Sequence, residues 1–391
     1  MTDALKSWTS RYLHGDPVIW GVVLTLGLLS VLVVYSATGT LAYRLMEGDT
    51  EYYLLRHGGL MLLAFVFMWG AHRIDYRYYR PLSTVALWLS VPLLIYAWRF
   101  GVNINDASRW ITLPVIGQSF QPSDLAKLAL VSHLARMMAR RQKDIDNIRA
   151  SLLPFLGWCA VICTLIALSN FSTAILLFVT CLLLMFIARV PVRYLVGLVM
   201  VGMLAGGLAG WVGQRGETFV SRVEAYREAF SDPEAVPFQA QQSYIAVATG
   251  GVYGKGPGHS DQRDFLPHPY SDFIYAILIE EYGLVGGIGV LFLYMLLLYR
   301  GMVVAARSKD AFGGLLSAGL SFGLALQALI NMAVAVGLVP ITGQPLPLLS
   351  MGGTSLLFTG LSLGIILSVS RGEVVDLTPK KPKHGQRKAT A

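Results

Sequence analysis

QRGETFVSRVEAYREAFSDPEAVPFQAQQSYIAVATGGVYGKGPGHSDQRDFLPHPYS, residues 214–271, is a 58-residue stretch dense in charge and broken by five prolines, in a chain otherwise built from long apolar runs. Such a segment cannot rest in hydrocarbon, where charges and unpaired backbone groups go unsolvated. On either side of it the sequence is membrane-like. Of 391 residues, 54% are hydrophobic and only 14% charged, and the mean hydropathy is +0.57, outside the range of ordinary soluble domains. Runs long enough to cross a bilayer, roughly 17 to 25 residues each, lie at 17–37, 56–73, 81–100, 122–140, 151–169, 171–188, 192–213, 272–300, 310–337 and 353–370. They predict an all-α polytopic membrane protein of ten transmembrane helices, with the 214–271 loop between spans seven and eight. The chain then divides into a short segment 1–16, a membrane domain 17–371 and a basic tail 372–391.

Orientation follows from lysine and arginine, because positive loops are retained in the cytoplasm. With the N-terminus inside, the inner segments carry 21 Lys and Arg residues and the outer segments 9, with Lys127 left inside a span. Both termini are therefore expected in the cytoplasm and the 214–271 loop outside. The net charge of +8 is a topology signal, and nucleic-acid binding is excluded because no basic face is interleaved with aromatics. The tail KKPKHGQRK reads as a disordered, lipid-surface segment. The first apolar run, although followed by YSATGT, is long and succeeded by further spans, so it reads as a retained helix. Cys159, Cys163 and Cys181 all fall in spans without metal-ligand spacing and read as small buried apolar residues.

The outer loop has internal order. Phe219, Val223, Tyr226 and Phe230 recur at the spacing of one helical face, predicting an amphipathic surface helix that Asp232-Pro233 breaks. QAQQSYIAVATGG reads as a second short helix ending at Gly250-Gly251, and GGVYGKGPGHS as loop.

Several side chains here have chemistry to offer. Asp232, at the helix break, either turns the chain before a proline or serves as a base or cation ligand at a diphosphate. The Gly254–Gly258 stretch, with Lys255, either cradles phosphate through its amides or makes a tight turn against another backbone. Inside the spans, Asp124 and Lys127 share a helix face, as a structural ion pair or as part of a polar cavity. Asp272 is placed to cap span eight at the outer surface. Glu280, two turns deeper, needs a partner, for which Lys127 is one candidate. Arg109, beside Trp110 on an outer loop, either neutralises a lipid diphosphate or faces headgroups.

These blocks also carry a resemblance. ASRWI at 107–111, QPSDLAKLAL at 121–130, DP at 232–233, QS at 242–243, GGVYGKG at 250–256, LP at 266–267, SDFIYAILIEEYGLVG at 271–286 and GLVPITGQPLPLLSMGGTSL at 337–356 are similar, in order and spacing, to those of the SEDS family (shape, elongation, division and sporulation). The likeness spans residues 15–372, and three segments, at the first span, the eighth and before the tenth, resemble the division branch more than the elongation branch. It implies a peptidoglycan glycosyltransferase of the bacterial inner membrane. The reaction would be inverting polymerisation of lipid II on a nascent glycan strand, with release of undecaprenyl diphosphate.

The resemblance also implies roles. Asp232 becomes the catalytic base or cation ligand, and Arg109, Lys127, Lys255, Gln242, Ser243, Asp272 and Glu280 become substrate-binding. No cofactor is implied with certainty; a divalent cation, Mg or Mn, is one option, with unknown ligands. A class B penicillin-binding transpeptidase and other divisome proteins are the implied partners. Three positions depart from the family pattern: Asn170 in SNFSTA stands at an acidic position, His268 where Glu is frequent, and Phe238 where Tyr is frequent. A flippase for the same lipid, working through a Lys127 and Glu280 pathway, and a scaffold activating the transpeptidase are the competing readings.

Overall fold

The structure is a computed structural model that describes residues 14–45, 50–104, 107–112, 119–142, 153–212, 214–229, 231–232 and 235–372. The readings placed on the N-terminal segment and the basic tail lie largely outside the described residues. Each predicted apolar run corresponds to a helix: α1 (Pro17–Leu45), α2 (Thr50–Arg73), α3 (Tyr79–Phe100), α4 (Pro122–Arg140), α5 (Leu153–Ala167), α6 (Phe171–Ile187), α7 (Val192–Val212), α10 (Ile274–Arg307), α11 (Ala311–Ala335) and α12 (Thr354–Arg371). Two further helices, α8 (Gln214–Glu228) and α9 (Phe238–Gly250), occupy the loop between α7 and α10, where the apolar spacing and the Asp232-Pro233 break place them.

Among the described residues, six helices are long and apolar enough to cross a membrane: α1, α2, α3, α10, α11 and α12. Helices α5, α6 and the first part of α7 are apolar but shorter. Helix α4 fails on polarity: Asp124, Lys127, Arg136 and Arg140 all lie on it. Its packing explains this, since α4 is surrounded by α3, α5, α6, α11 and α12, and a charge inside a bundle is tolerable where it is paired or faces a wet cavity.

Local sequence explains several boundaries. Asp16 caps α1 by accepting from the Val18 amide at 2.9 Å, and Pro17 takes the first helical position, where its missing donor costs nothing. Arg300 donates to the same Asp16 carboxylate at 2.8 Å, tying α1 to the far end of α10. Arg80 pairs in the same way with Asp310, which precedes α11.

The fold is not purely helical. Between α3 and α4, strands β1 (Val102–Ile104), β2 (Ala107–Thr112) and β3 (Ser119–Phe120) form an antiparallel sheet in the order β1-β2-β3. The register pairs Asn103 with Ser108 and Ile111 with Phe120. Three strands of two to six residues each are too short to stand out as alternating patterns in a window dominated by two flanking spans.

Candidate functional site: a polar cavity at the start of α4

The cavity is built outward from the first turn of α4. Pro122 opens the helix, and Asp124 and Lys127, three residues apart on one face, form an ion pair of 2.9 Å. Asp124 is buried, and its second carboxylate oxygen has no partner among the described residues. The pair borders a cavity of about 340 Å³ whose other walls come from distant parts of the chain. The sheet contributes Trp110 and Ser119, the start of α6 contributes Asn170 and Thr173, and the first part of α2 contributes Arg56. The remaining wall is two irregular segments, 268–272 and 343–353.

Those two segments are fixed firmly. The Met351 amide donates to the Tyr270 carbonyl at 2.9 Å, and the Ser350 hydroxyl to the Ser271 carbonyl at 2.6 Å. The Ser350 oxygen in turn accepts from the Leu346 amide at 2.7 Å. Leu348 is held at φ 66°, a left-handed conformation that a leucine adopts only where its surroundings enforce it. The enforcement is visible on both sides: Tyr294 donates to the Pro347 carbonyl, and Ser30, itself bonded to His57, donates to the Leu349 carbonyl at 2.9 Å.

The sequence expectations sort themselves against this geometry. Lys127 and Asp272 line the same cavity. Asp272 is half-buried and does not cap α10: the helix begins at Ile274, its capping residue is Phe273, and no side chain closes the first turn. Asp232 stands on an exposed turn after α8, its amide bonded to the Glu228 carbonyl at 2.8 Å, and is not among the residues lining the cavity. Arg109 belongs to β2, and its side chain lies outside what the structure describes.

Glu280 finds its partner in Lys255, at 2.6 Å, and not in Lys127. Ser260 and the amides of Asp261 and Gln262 complete the shell around this fully buried carboxylate. The Lys255 ammonium also reaches Asp261 at 2.8 Å, and this hydrogen bond holds the exposed Asp261 carboxyl below its usual value. Desolvation would lower the Lys255 pKa, but its bonds to Asp261 and Glu280 carry it upward. The glycine stretch is likewise no phosphate cradle. The amides of Lys255 and Gly256 donate to the carbonyls of Glu280 and Glu281, each at 2.9 Å, so they are spent on backbone. Ser243 is buried and ties α9 to the end of α11 through the Ala335 carbonyl at 2.8 Å, and Gln242 sits half-buried beside it, neither lining the cavity.

Of the cavity residues to which the sequence assigns no substrate role, three bear on its charge and hydrogen bonding: Arg56, Asn170 and His268. Arg56 counts in the sequence only toward topology, although a lone arginine near the outer end of an apolar helix is a usable signal. Asn170 and His268, two of the departures from the family pattern, both line the cavity. Asn170 additionally caps α6, accepting from the Thr173 amide at 3.1 Å. Among the described residues no group of three or more His, Cys, Asp or Glu side chains comes together to hold a metal ion.

A helical membrane protein with an ion-paired polar cavity at one end of its bundle is the class that fold and site define. The profile of the cell cycle protein family of FtsW, RodA and SpoVE matches residues 16–374, and the chain belongs to this family. It is similar to the probable peptidoglycan glycosyltransferase FtsW of Geobacter sp. (strain M18), 33% identical over 360 residues, 91% of this chain and 96% of that one. It is similar too to stage V sporulation protein E of Bacillus subtilis (strain 168), 33% identical over 367 residues, 91% and 97% of the two chains. Among solved structures, a chain of a peptidoglycan synthase complex that coordinates polymerization and crosslinking superposes with a TM-score of 0.73 at 26% identity, covering 93% of this chain and all of that one. The rod shape determining protein RodA of Thermus thermophilus does so with a TM-score of 0.69 at 25% identity, covering 94% of this chain and all of that one.

Proposed function

We propose that this protein is a peptidoglycan glycosyltransferase of the division branch that polymerises lipid II in the cavity at the start of α4. The observation that carries the reading is the cavity itself, which turns the Asp272 carboxylate and the Lys127 ammonium into one polar space within an apolar bundle. The acceptor's GlcNAc 4-hydroxyl attacks the anomeric carbon of the MurNAc donor. The new C–O bond forms as the bond to diphosphate oxygen breaks, the proton passes to Asp272, and undecaprenyl diphosphate leaves with the bonding pair. Diphosphate is a good leaving group once its charge is neutralised, so one base and fixed cations suffice, and the carboxylate pair of a glycosidase is not needed. Lys127 and Arg56 are placed to supply that neutralisation. Asp232, the base the family resemblance implies, is set aside in favour of Asp272, because it is exposed and outside the cavity lining.

A second, smaller cavity of about 70 Å³ borders the same Asp124 and Lys127 pair and is lined by apolar residues such as Leu176, Leu320 and Phe358 together with Thr180, Gln327 and Ser362. The finer topology belongs to the same reading: ten spans, both termini cytoplasmic, with α8, α9 and the glycine loop outside. Reporter fusions after residues 145 and 305 are expected to signal cytoplasm, and fusions near 105 and 235 the outside. A cytoplasmic signal at 235 would remove the extracytoplasmic site. A class B transpeptidase is the partner this reading calls for.

Lys127 tests whether the ion pair is structural or functional. Lys127→Met alone leaves a buried carboxylate without its counter-charge, so its loss of activity is ambiguous. The double variant Asp124→Asn/Lys127→Met removes both charges. If the pair only holds α4 in place, the double regains activity. The expected result is that lipid II polymerisation stays about 100-fold down in both, the scale of losing one positioned donor to a developing anion.

A further inference from the structure

Asn331, near the outer end of α11, is buried and has been assigned no part in the chemistry so far. Its side-chain nitrogen donates to two backbone carbonyls at once, those of Asp272 and of Gln344, each at 2.7 Å. The amide can face only one way, because both partners are acceptors. Its own oxygen is buried with no partner among the described residues. The side chain thus spends its donors on two backbone carbonyls and leaves its acceptor unsatisfied, a cost those two bonds offset.

What those donors hold is specific. Tyr270, Ser271 and Asp272 are consecutive residues in the turn just ahead of α10, and all three carbonyls are engaged, by the Met351 amide, the Ser350 hydroxyl and Asn331. Two of those donors come from the 343–353 segment itself. Asn331 is different: it reaches from a helix and bridges the two irregular segments. Gln344, on the second carbonyl, passes the connection on, its side-chain nitrogen donating to the Thr173 hydroxyl at 2.8 Å at the start of α6. The backbone at Asp272 is thereby referenced to α11 and, through Gln344, to α6, two elements of the cavity's scaffold.

We infer that Asn331 is a positioning residue for Asp272: by clamping the carbonyls of Asp272 and Gln344 it sets where the cavity carboxylate sits relative to Lys127. The inference rests on the reading of Asp272 as the base. Misplacing a reacting group by about 1 Å can cost on the order of 100-fold in rate.

The test is a double-mutant cycle on the full-length protein in detergent or nanodiscs, with lipid II as substrate: parent, Asn331→Ala, Asp272→Asn, and the two combined. Asn331→Ala is expected to lower kcat between about 10- and 100-fold while KM for lipid II stays within about twofold, with a fall in thermal midpoint from the two carbonyls left unpaired. In the Asp272→Asn background the same substitution should cost nothing further, because the group it positions is already gone. If Asp272→Asn keeps activity, the reading of Asp272 fails, whatever Asn331 does. If Asp272→Asn is inactive but Asn331→Ala is close to parent, or its loss multiplies through into the double variant, the positioning role fails alone. Should Asn331→Ala not accumulate, Asn331→Thr, which keeps one donor, runs the same cycle and is expected to retain intermediate kcat.

Discussion

Asp272→Asn is expected to insert and accumulate like the parent protein and to polymerise lipid II at least about 100-fold more slowly, the usual scale for a general base. The amide keeps the size of the side chain, and the bonds that fix this stretch use backbone carbonyls, so the segment should hold its shape. What is lost is basicity and charge. Asp232→Asn is the paired experiment. Its side chain is exposed on a turn outside the cavity lining, so the variant should polymerise within about twofold of the parent, as surface substitutions generally do little. Gel-resolved glycan chains made from purified lipid II read both. The opposite outcome, an active Asp272→Asn and a dead Asp232→Asn, would return catalysis to the loop after α8 and leave the cavity a structural feature.

That pairing also marks where sequence reasoning ran out. The helices were legible because hydrocarbon thickness sets their length, and because short-range signals such as Asp16-Pro17 and Pro122 mark their starts. The two loop helices were legible from the periodicity around Tyr226 and the break at Asp232-Pro233. Asp272 was read by a local rule, as a cap on the following helix, and that rule failed because the chain remains unwound until Ile274. The donors that clamp Tyr270, Ser271 and Asp272 come from residues 59 to 81 positions further on, a relation no local pattern encodes. Glu280 is a related case: Lys127 is one candidate partner in the sequence, but the 214–271 loop folds back onto a break in α10 and delivers Lys255. Sequence shows which charges need partners, and the tertiary fold chooses among them.

That break carries the other large expected effect. Within α10, Gly283 adopts φ 71° and ψ −174°, and opposite it Gly254 sits at φ 82°. The two glycines lie back to back. A β-carbon on Gly254 would fall 2.2 Å from the Glu281 carbonyl oxygen, and one on Gly283 would fall 2.2 Å from the Val252 carbonyl oxygen. These are backbone atoms, which cannot swing aside as a side-chain end would. Either alanine must therefore pry the glycine loop off the helix and break the ladder that joins them: Lys255 and Gly256 onto the Glu280 and Glu281 carbonyls, and Leu284 and Val285 onto those of Gly251 and Val252. Moving the loop also draws Lys255 and Ser260 away from Glu280, leaving a fully buried carboxylate without its shell. Stranding one member of a buried ion pair costs roughly 3–5 kcal/mol. Gly254→Ala and Gly283→Ala are thus each expected to abolish accumulation of folded protein or to lower its thermal midpoint sharply. Combining them should cost little more than either, since both break one contact. Gly289→Ala is the control: it lies in the same helix with open space around it, where replacing glycine by alanine is neutral or stabilising by up to about 1 kcal/mol. If Gly254→Ala folds and melts like the Gly289→Ala control, the loop is not seated on the helix break, and the pairing of Lys255 with Glu280 falls with it.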